Sequence, residues 1–564
     1  MNYSLKFVLA MAAAVAANGG CADFYRTQAD RAAYSAIKAS QGEALGETKS
    51  FGMEYLPLAA EGKGQSIAVG SRVITVGKGK AIKLTLDECL EIAFRSSRNL
   101  QNRKEALYSS ALTVANRRRS WNWPLSDLVL DNETEHVKQH AQPEDPSASG
   151  TTELSITQRF IHGGVFTLAW ALDAATDFAT WNSQTFGSML DANFTQPLLR
   201  GAWRGFAYED QYRLERDFLF DVFEYERFTQ TFTVDIVTDY YSVLEKRDEL
   251  ENEESNINRL KRTLALTEVL ADSGQVSRIE EDQAALDLLT AQVRLERTEE
   301  EYRNTLDTFK LTLGLPVGAD VTVDYPASLA ALREAGPKDI RFDEERAIAV
   351  ALSVRPDLLS ERASVRDADR DVDIAADAFF PQLDLELGFT ASDSGADRSA
   401  RLRWHDHQRL VKATFNYSFD QTDNRDAYRN AMIDAARARR DLSLFEDNVR
   451  LSVRRSYRRL LRSRRSYELG LRSVEIALRW RKLATLQQRE GQASARDVLE
   501  AEESLRTAQN GLTSSLVSYT TTRLSFLADL GMIIVDEKGR LHEQKEPFGF
   551  GRIRRRYTYV GGGQ

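Results

Sequence analysis

Hydrophobic positions fall into two rhythms along this chain. From Phe206 to Asp272 there is neither proline nor internal glycine, and Phe232, Ile236, Tyr240, Val243 and Leu244 recur at three or four, the spacing of a helix with one buried stripe. About 67 residues at 1.5 Å rise predict a rod on the order of 100 Å long. A second stretch, from about Arg425 to Arg489, repeats the rhythm through Leu460, Leu461, Leu469, Val474 and Leu478. Rods of that length are expected to pack as coiled coils against parallel neighbours. Ahead of each rod the period drops to two. Leu383, Leu385, Leu387 and Phe389 alternate with Asp384, Glu386 and Gly388, and Val411, Ala413, Phe415, Tyr417 and Phe419 alternate with Lys412, Thr414, Asn416 and Ser418. In the first half, Leu190, Ala192, Phe194 and Leu198 share one face, as do Leu128 and Leu130. Such alternation also fits the half-buried sheet of a soluble protein. Segments of about 10 residues with charged polar faces suit lipid-facing strands around a watery lumen. One chain holds too few of them to close such a wall, so the wall predicts an oligomer.

The chain is an internal duplication. SGQVSRIEEDQAALDLLTAQVRLE from Ser273 aligns without gaps on EGQASARDVLEAEESLRTAQNGLT from Glu490, at a constant offset of 217 residues. The match pairs Gly274 with Gly491, Gln275 with Gln492 and Ser277 with Ser494, and runs on through Tyr302 with Tyr519 to Leu313-Gly314 with Leu530-Gly531. A weaker match relates the short amphipathic helices predicted from Asp87 and Asp343. Each half therefore reads as short helix, strands, long helix, Gly turn, long helix and Leu-Gly stop. Gly274 and Gly491 tolerate the left-handed conformation of a helix stop. Ser277 and Ser494 follow at N-cap distance, with Glu280 and Asp497 on the next turn.

Composition narrows the function classes. Hydrophobic residues make up 42% and charged residues 28% of the 564, too apolar for a disordered chain. Only 11 prolines leave room for long helices. Two cysteines, Cys21 and Cys89, exclude a disulfide framework and a Cys-only zinc site. The six scattered histidines do not make up the shortfall; His405 and His407 read as solvated side chains of a polar loop. Lys6 and the apolar run Phe7 to Ala17, ending in small residues before Cys21, have the form of a secretory signal. Cys21 is the expected lipidation site, with cleavage after Ala14-Val15-Ala16 as the alternative. Cys89 lies in a helical pattern with Leu86, Leu90 and Ala93, as a buried small apolar residue would. No other segment reaches 18 consecutive apolar residues, so a membrane crossing would need a closed β-barrel. The first long helix is acidic and the second rich in arginine between Arg437 and Arg465. Export, the net charge of −9 and the acidic sister helix oppose nucleic-acid binding. The expectation is that the two helices lie side by side, their opposite charges setting register more than strength.

The run REGQASARDVLEAEESLRTAQNGLTSSLVSYTTTRLSFLADLG from Arg489, its partner copy from Ser273, LTLDECLEIAFRSSRNL from Leu84 and FDQTDNRDAYRNAMIDAARA from Phe419 together resemble the outer-membrane efflux protein family, the TolC-like channels. The resemblance covers roughly Leu84 to Gly531. It implies a mainly α fold with a β-barrel portion: duplicated long hairpins forming a periplasmic α-barrel, and strands of a trimeric transmembrane β-barrel in the outer membrane. The expected domains are a signal peptide (1–20), a lipid-anchored extended segment (21–83), a first repeat (84–314), a linker (315–341), a second repeat (342–531) and a C-terminal tail (532–564). The implied function is a passive exit duct of a tripartite efflux or type I secretion system. Its partners are a homotrimer's other copies, a periplasmic membrane-fusion adaptor, an inner-membrane pump and outer-membrane lipid. No enzyme activity, cofactor or metal is implied. A non-porous periplasmic coiled-coil scaffold or adaptor lipoprotein is the alternative. Gly274, Gln275, Ser277, Gly491, Gln492 and Ser494 carry over as an adaptor-docking tip. Asp497 and Glu500 fall where family channels can hold an acidic ring at the tunnel entrance; equally, Asp497 can serve the helix dipole and Glu500 be solvated. The first-half copy has Glu280 but Gln283. One departure stands out. An extra alternating pair, Leu154, Ile156 and Phe160, then His162-Gly163-Gly164, then Phe166, Leu168, Trp170 and Leu172, reads as a hairpin and departs from the two strands per half that the resemblance implies.

Overall fold

The computed structural model describes residues 22–44, 46, 48–53, 65–69, 72–76, 82–121, 125–137, 145–177, 184–339, 342–393, 407–490 and 492–543. In chain order the elements are α1 (Ala22–Ala44), β1 (Gln65–Val69), β2 (Arg72–Val76), β3 (Ile82–Leu84), α2 (Leu86–Ser96), α3 (Arg98–Arg119), β4 (Leu125–Val137), β5 (Asp145–Arg159), β6 (Val165–Asp177), β7 (Gln184–Pro197), α4 (Arg204–Ala207), α5 (Glu209–Asp272), α6 (Arg278–Leu313), β8 (Val321–Val323), α7 (Tyr325–Ala335), α8 (Glu344–Val354), α9 (Pro356–Asp377), β9 (Gln382–Asp393), β10 (His407–Asn416), α10 (Thr422–Arg489), α11 (Ala495–Asp529), β11 (Ile533–Val535) and β12 (Leu541–Glu543). Contacts divide the chain into two units. One comprises Met1–Gly42, Leu107–Asp221 and Ser360–Ser443, the other Glu43–Ala106, Val222–Leu359 and Leu444–Gln564.

The first unit is built on an antiparallel six-stranded sheet in the order β10-β9-β7-β6-β5-β4. Register places Leu154 opposite Trp170, Trp170 opposite Leu190, Ala192 opposite Phe389, Leu387 opposite Val411 and Leu383 opposite Phe415. At the far edge, Leu128 holds the position opposite Leu154. Because side chains alternate with period two, one largely apolar face crosses β5, β6, β7, β9 and β10, with Gln158, Gln196 and Arg409 among its polar exceptions. The other face carries Glu153, Thr167, Asp191, Asn193, Glu386, Thr390 and Lys412, with Met189 and Leu410 as apolar exceptions. Polar bonds cross that face: Asn193 Nδ2 donates to Glu386 (2.9 Å), Thr390 Oγ1 to Asp191 (2.7 Å), and Lys412 pairs with Glu386 (3.4 Å). His407 opens β10 and stacks on Phe389 at 5.6 Å, which corrects its reading as a loop residue.

Helices of this unit are knit by arginine–carboxylate pairs. Buried Glu209 receives Arg216 (2.9 Å) and Arg370 (2.7 Å), and Arg216 also meets Asp367 (2.6 Å). The extended segment expected over 21–83 is corrected at its start, where α1 is helical. Ala33, Ala36, Ile37, Ser40 and Gln41 are buried at helical spacing, and Tyr108 Oη donates to Asp30 at 2.7 Å. Alanine-rich sequence without glycine or proline up to Gln41 favours that helix.

The second unit displays the duplication as two cores. Phe232, Ile236, Val243, Phe309 and Leu313 close on α2 in one; Val449, Val453, Leu460, Phe526 and Leu530, each 217 residues further on, close on α8 in the other. Cys89 is fully buried in the first core, and burial pushes its thiol well up from the ordinary value. The linker is structured: β8 pairs in parallel with β3, and Leu329 and Leu332 of α7 pack with Tyr467, Leu516 and Val517. The tail expected from Met532 is corrected as well. β11 and β12 form a hairpin, Met532, Ile533 and Val535 are buried in the second core, and Gln230 Nε2 donates to the Ile533 carbonyl at 2.9 Å. A further correction concerns charge. Acidic α5 pairs across the repeats with α11, through Arg259–Glu502 and Glu253–Arg506 (both 2.5 Å). Arg454 and Arg464 of α10 instead reach Glu344 (2.9 Å) and Asp339 (3.3 Å) on the α7–α8 stretch. α10 also runs unbroken through Gly470, where an added Cβ would lie 3.3 Å from Ser515 Oγ and 3.4 Å from Leu512 Cδ1. That glycine lets α11 approach closely.

Gly314, with φ +79°, stands where a Cβ would lie 2.1 Å from the Ser96 carbonyl oxygen. Gly314→Ala is therefore expected to destabilise the fold by about 3 kcal/mol or more, whereas Gly511→Ala, in open space on α11, should be neutral or stabilising by up to about 1 kcal/mol. Thermal unfolding followed by helical circular dichroism separates the two.

Candidate functional site

Three of the four long helices stop in one way. At the end of α5 the Gly274 N–H donates to Ala271 O (3.0 Å) and the Gln275 N–H to Leu270 O (2.9 Å), with Gly274 at φ +76°. This pair of bonds is the Schellman closure, which satisfies carbonyls the helix leaves open. It recurs at Gly314 and Leu315 and at Gly531 and Met532, and after α10 the Gln492 N–H donates to Gln487 O (2.8 Å), the outer bond of the same closure. Gly491, like Cys21, lies outside the described residues. α6 and α11 then restart on serine. Ser277 Oγ accepts from the Glu280 N–H, and Ser494 forms a full capping box with Asp497, whose carboxylate accepts from Ser494 N (2.9 Å) and Ser494 Oγ (2.8 Å). Gly274, Gln275, Ser277, Gln492 and Ser494 are all exposed, so each turn offers its surface to a partner.

Asp497 and Glu500 are exposed too, three residues apart on the first turns of α11. The Ser494 hydroxyl and backbone N–H hold the Asp497 carboxyl below the usual carboxylate range. Asp497 therefore already serves as a cap, while keeping its negative charge.

Behind the turns, Ile257, Leu260, Ala284, Ala291 and Leu499 form a small apolar core, ringed by ion pairs. Arg294 joins Glu503 (3.0 Å), and Arg506 bridges Glu503 to buried Glu253. Arg506 and Arg294 hold Glu503 low, while burial pushes Glu253 up. Further along, Asp248 is almost fully buried and accepts from Tyr325 Oη (2.6 Å), Arg333 Nη2 (3.0 Å) and Thr513 Oγ1 (2.6 Å). Burial, then the Asp248 carboxylate, drives the Tyr325 hydroxyl far above its ordinary range. This one carboxylate ties α7 to α5 and α11. Asp248 lies on the acidic first long helix, where no local signal distinguishes it from Glu249 or Glu251, because its partners lie 77 to 265 residues away. Among the described residues no group of three or more His, Cys, Asp or Glu is placed to hold a metal ion, and no helix is long and apolar enough to cross a membrane.

Residues 347–531 match the family described as outer membrane efflux protein, a transport-channel family rather than an enzyme family. A stretch of 182 residues is 26% identical to the pyoverdine export outer membrane protein OpmQ of Pseudomonas aeruginosa, spanning 31% of this chain and 35% of that relative. The fold is similar to that of the Campylobacter jejuni CmeC outer membrane channel (13% identity, 87% of this chain and 96% of that one, TM-score 0.57). It is similar also to the open state of the Neisseria gonorrhoeae MtrE outer membrane channel (11% identity, 86% and 98%, TM-score 0.56).

Asp248→Ala would leave two hydroxyls and a guanidinium facing an emptied buried site, an expected loss of about 2 to 3 kcal/mol in chemical denaturation. Asp497 has a folded pKa below the unfolded value of about 4, so its stabilising contribution is present at neutral pH and fades as pH falls below about 4. Amide-exchange protection of residues 494–498 should drop over that range, and Ser494→Ala should show the lowered protection already at pH 7.

Proposed function

We propose that this chain, a member of the outer membrane efflux protein family, is the exit duct of a tripartite export assembly, a homotrimer that conducts cargo passively outward. The observation that carries the reading is the six-stranded sheet with a largely apolar face across β5, β6, β7, β9 and β10. A water-soluble sheet would have to cover Leu154, Phe166, Leu168, Leu387, Val411 and Phe415; leaving each in water forgoes about 1.5 to 3 kcal/mol. Val411 is 74% and Phe415 63% exposed, as lipid-facing residues of a single chain would be. Where strands give way to helices, Phe160, Trp203, Phe206, Phe380, Tyr417 and Phe419 are exposed, in the manner of the aromatic girdle at a bilayer interface.

The helices supply the second support. On α6, Ile279, Leu286 and Val293 are exposed at seven-residue spacing, and on α10 Leu469, Ile476 and Leu483 are exposed at the same spacing. Two unpartnered heptad stripes of equal pitch fit each other across copies of the chain, a head-to-tail contact that closes a ring. The turns with exposed Gly274, Gln275 and Ser277, and with exposed Gln492 and Ser494, are the docking points for a periplasmic adaptor, Gly491 being the matching position of the second turn, and beyond the adaptor an inner-membrane pump supplies the energy. Cys21 carries the lipid anchor. Copies of Asp497 and Glu500 around the axis form an acidic entrance that favours cations.

The purified protein is expected to run as a trimer in native mass spectrometry and to conduct in planar bilayers with cation preference. Asp497→Asn with Glu500→Gln should reduce that preference severalfold without abolishing conductance. A trimer that stays silent even with both carboxylates neutralised would instead make this a periplasmic scaffold.

A further inference from the structure

We propose that every chain gives six strands to the shared wall, so that three copies close an 18-stranded barrel by pairing the free edge of β10 with the free edge of β4 on the next copy. The inference rests on the duct reading above, and adds to it the width of the pore and the surface that builds it.

The extra strands are an insertion of definite size. Before the strands, Leu86 and Glu344 open matching 11-residue helices 258 residues apart, and Arg98 and Pro356 open matching 22-residue helices at the same offset. After the strands the offset between Arg278 and Ala495 is 217. The first repeat thus holds 41 more residues between its short and long helices than the second. β5, its turn and β6, residues 145–177, make up 33 of those residues.

The insertion sits inside the sheet, not beside it. β5 pairs with β4 and β6 with β7 along nearly their whole lengths. Leu154, Ile156, Leu168 and Trp170 lie on the same face as Leu190 and Phe389. The Phe160–Gly164 turn is seated on the strand-to-helix junction: Gln196 Nε2 and the Trp203 N–H both donate to the His162 carbonyl (2.9 and 3.3 Å), and Phe160 meets Phe194 edge-on at 5.9 Å. Gly163 is at φ +89°, where a Cβ would lie 2.9 Å from Pro197 Cγ. A flap swung out of the wall would carry its apolar face into water and break this seat.

The edges name the occupant. Six antiparallel strands leave β10 and β4 running in opposite directions, so β4 of a second copy meets β10 in the antiparallel sense. β10 is exposed over its full length. Barrel diameter grows roughly linearly with strand number, so this wall is about 1.5 times as wide as one built from four strands per chain, and passes correspondingly bulkier hydrated cargo.

Two measurements test this. Polymer exclusion in planar bilayers, with neutral polyethylene glycols of graded size added on the strand side, compares the full chain with a deletion of residues 145–177. The full chain should admit polymers of about 1.5 times the radius. An unchanged cutoff in a conducting, trimeric deletion variant overturns the proposal and leaves the duct standing. Should the deletion not fold, the full chain decides: Leu130→Cys on β4, oxidised against Val411→Cys, Ala413→Cys or Phe415→Cys on β10, should give covalently closed trimers. Cross-linking of β10 to Leu168→Cys on β6 in its place overturns the inference, and a protein that neither trimerises nor conducts removes the duct and the wall together.

Discussion

A β-sheet with one largely apolar face and two open edges leaves two demands unmet within a single chain, cover for the face and pairing for the edges. Where water is excluded, each unpaired N–H and C=O along an edge costs several kcal/mol, and only closure removes edges altogether. The sheet ordered β10-β9-β7-β6-β5-β4 has that problem at β10 and β4. Its polar face, with Glu386 bridging Asn193 and Lys412, wants water, while the opposite face, with Leu387 and Val411, wants an apolar cover. In the proposed duct, assembly and membrane insertion would answer the same constraint.

The helical part meets a different difficulty, that of ending long helices without orphaned backbone groups. It uses one device repeatedly. Paired bonds at Gly274, Gly314 and Gly531, and the Gln492 N–H on Gln487 O, close the C-termini, and Ser277 and Ser494 open the helices that follow. Gly274, Gln275, Ser277, Gln492 and Ser494 of these turns are exposed, and Glu280 and Asp497 stand at positive helix ends. Charge is used differently deeper in. Glu253, Glu502 and Asp248 are buried with arginine partners, and such pairs contribute more to register than to net stability, since desolvation offsets most of the attraction. Substitution there is costly because the survivor is left unpaired.

The most legible features were those that repeat at short range. The two long helices, the Gly turns, the Ser caps and the alternating strands each follow from period, cap chemistry or a self-alignment over the chain. The hairpin at His162-Gly163-Gly164 was legible as a hairpin as well. Its membership of the main sheet was not, because strand pairing depends on which partner a face meets. The same limit hid the α1 helix, the β11–β12 hairpin and the partners of the arginine run. Opposite charges on α5 and α10 suggested direct pairing, but helix order around the core put α11 against α5.

The sequence alone thus determined the inventory: two copies of a helical hairpin, their stop and start residues, strands with an apolar side, and Asp497 with Glu500 on one face of a helix. These follow from interactions within a few residues, which any neighbourhood of the chain contains in full. The tertiary structure decided adjacency: six strands in one sheet, Asp248 clasped by Tyr325, Arg333 and Thr513, and Gly314 pressed on the Ser96 carbonyl. Those contacts join residues far apart in the chain, and only the packing of whole elements brings them together.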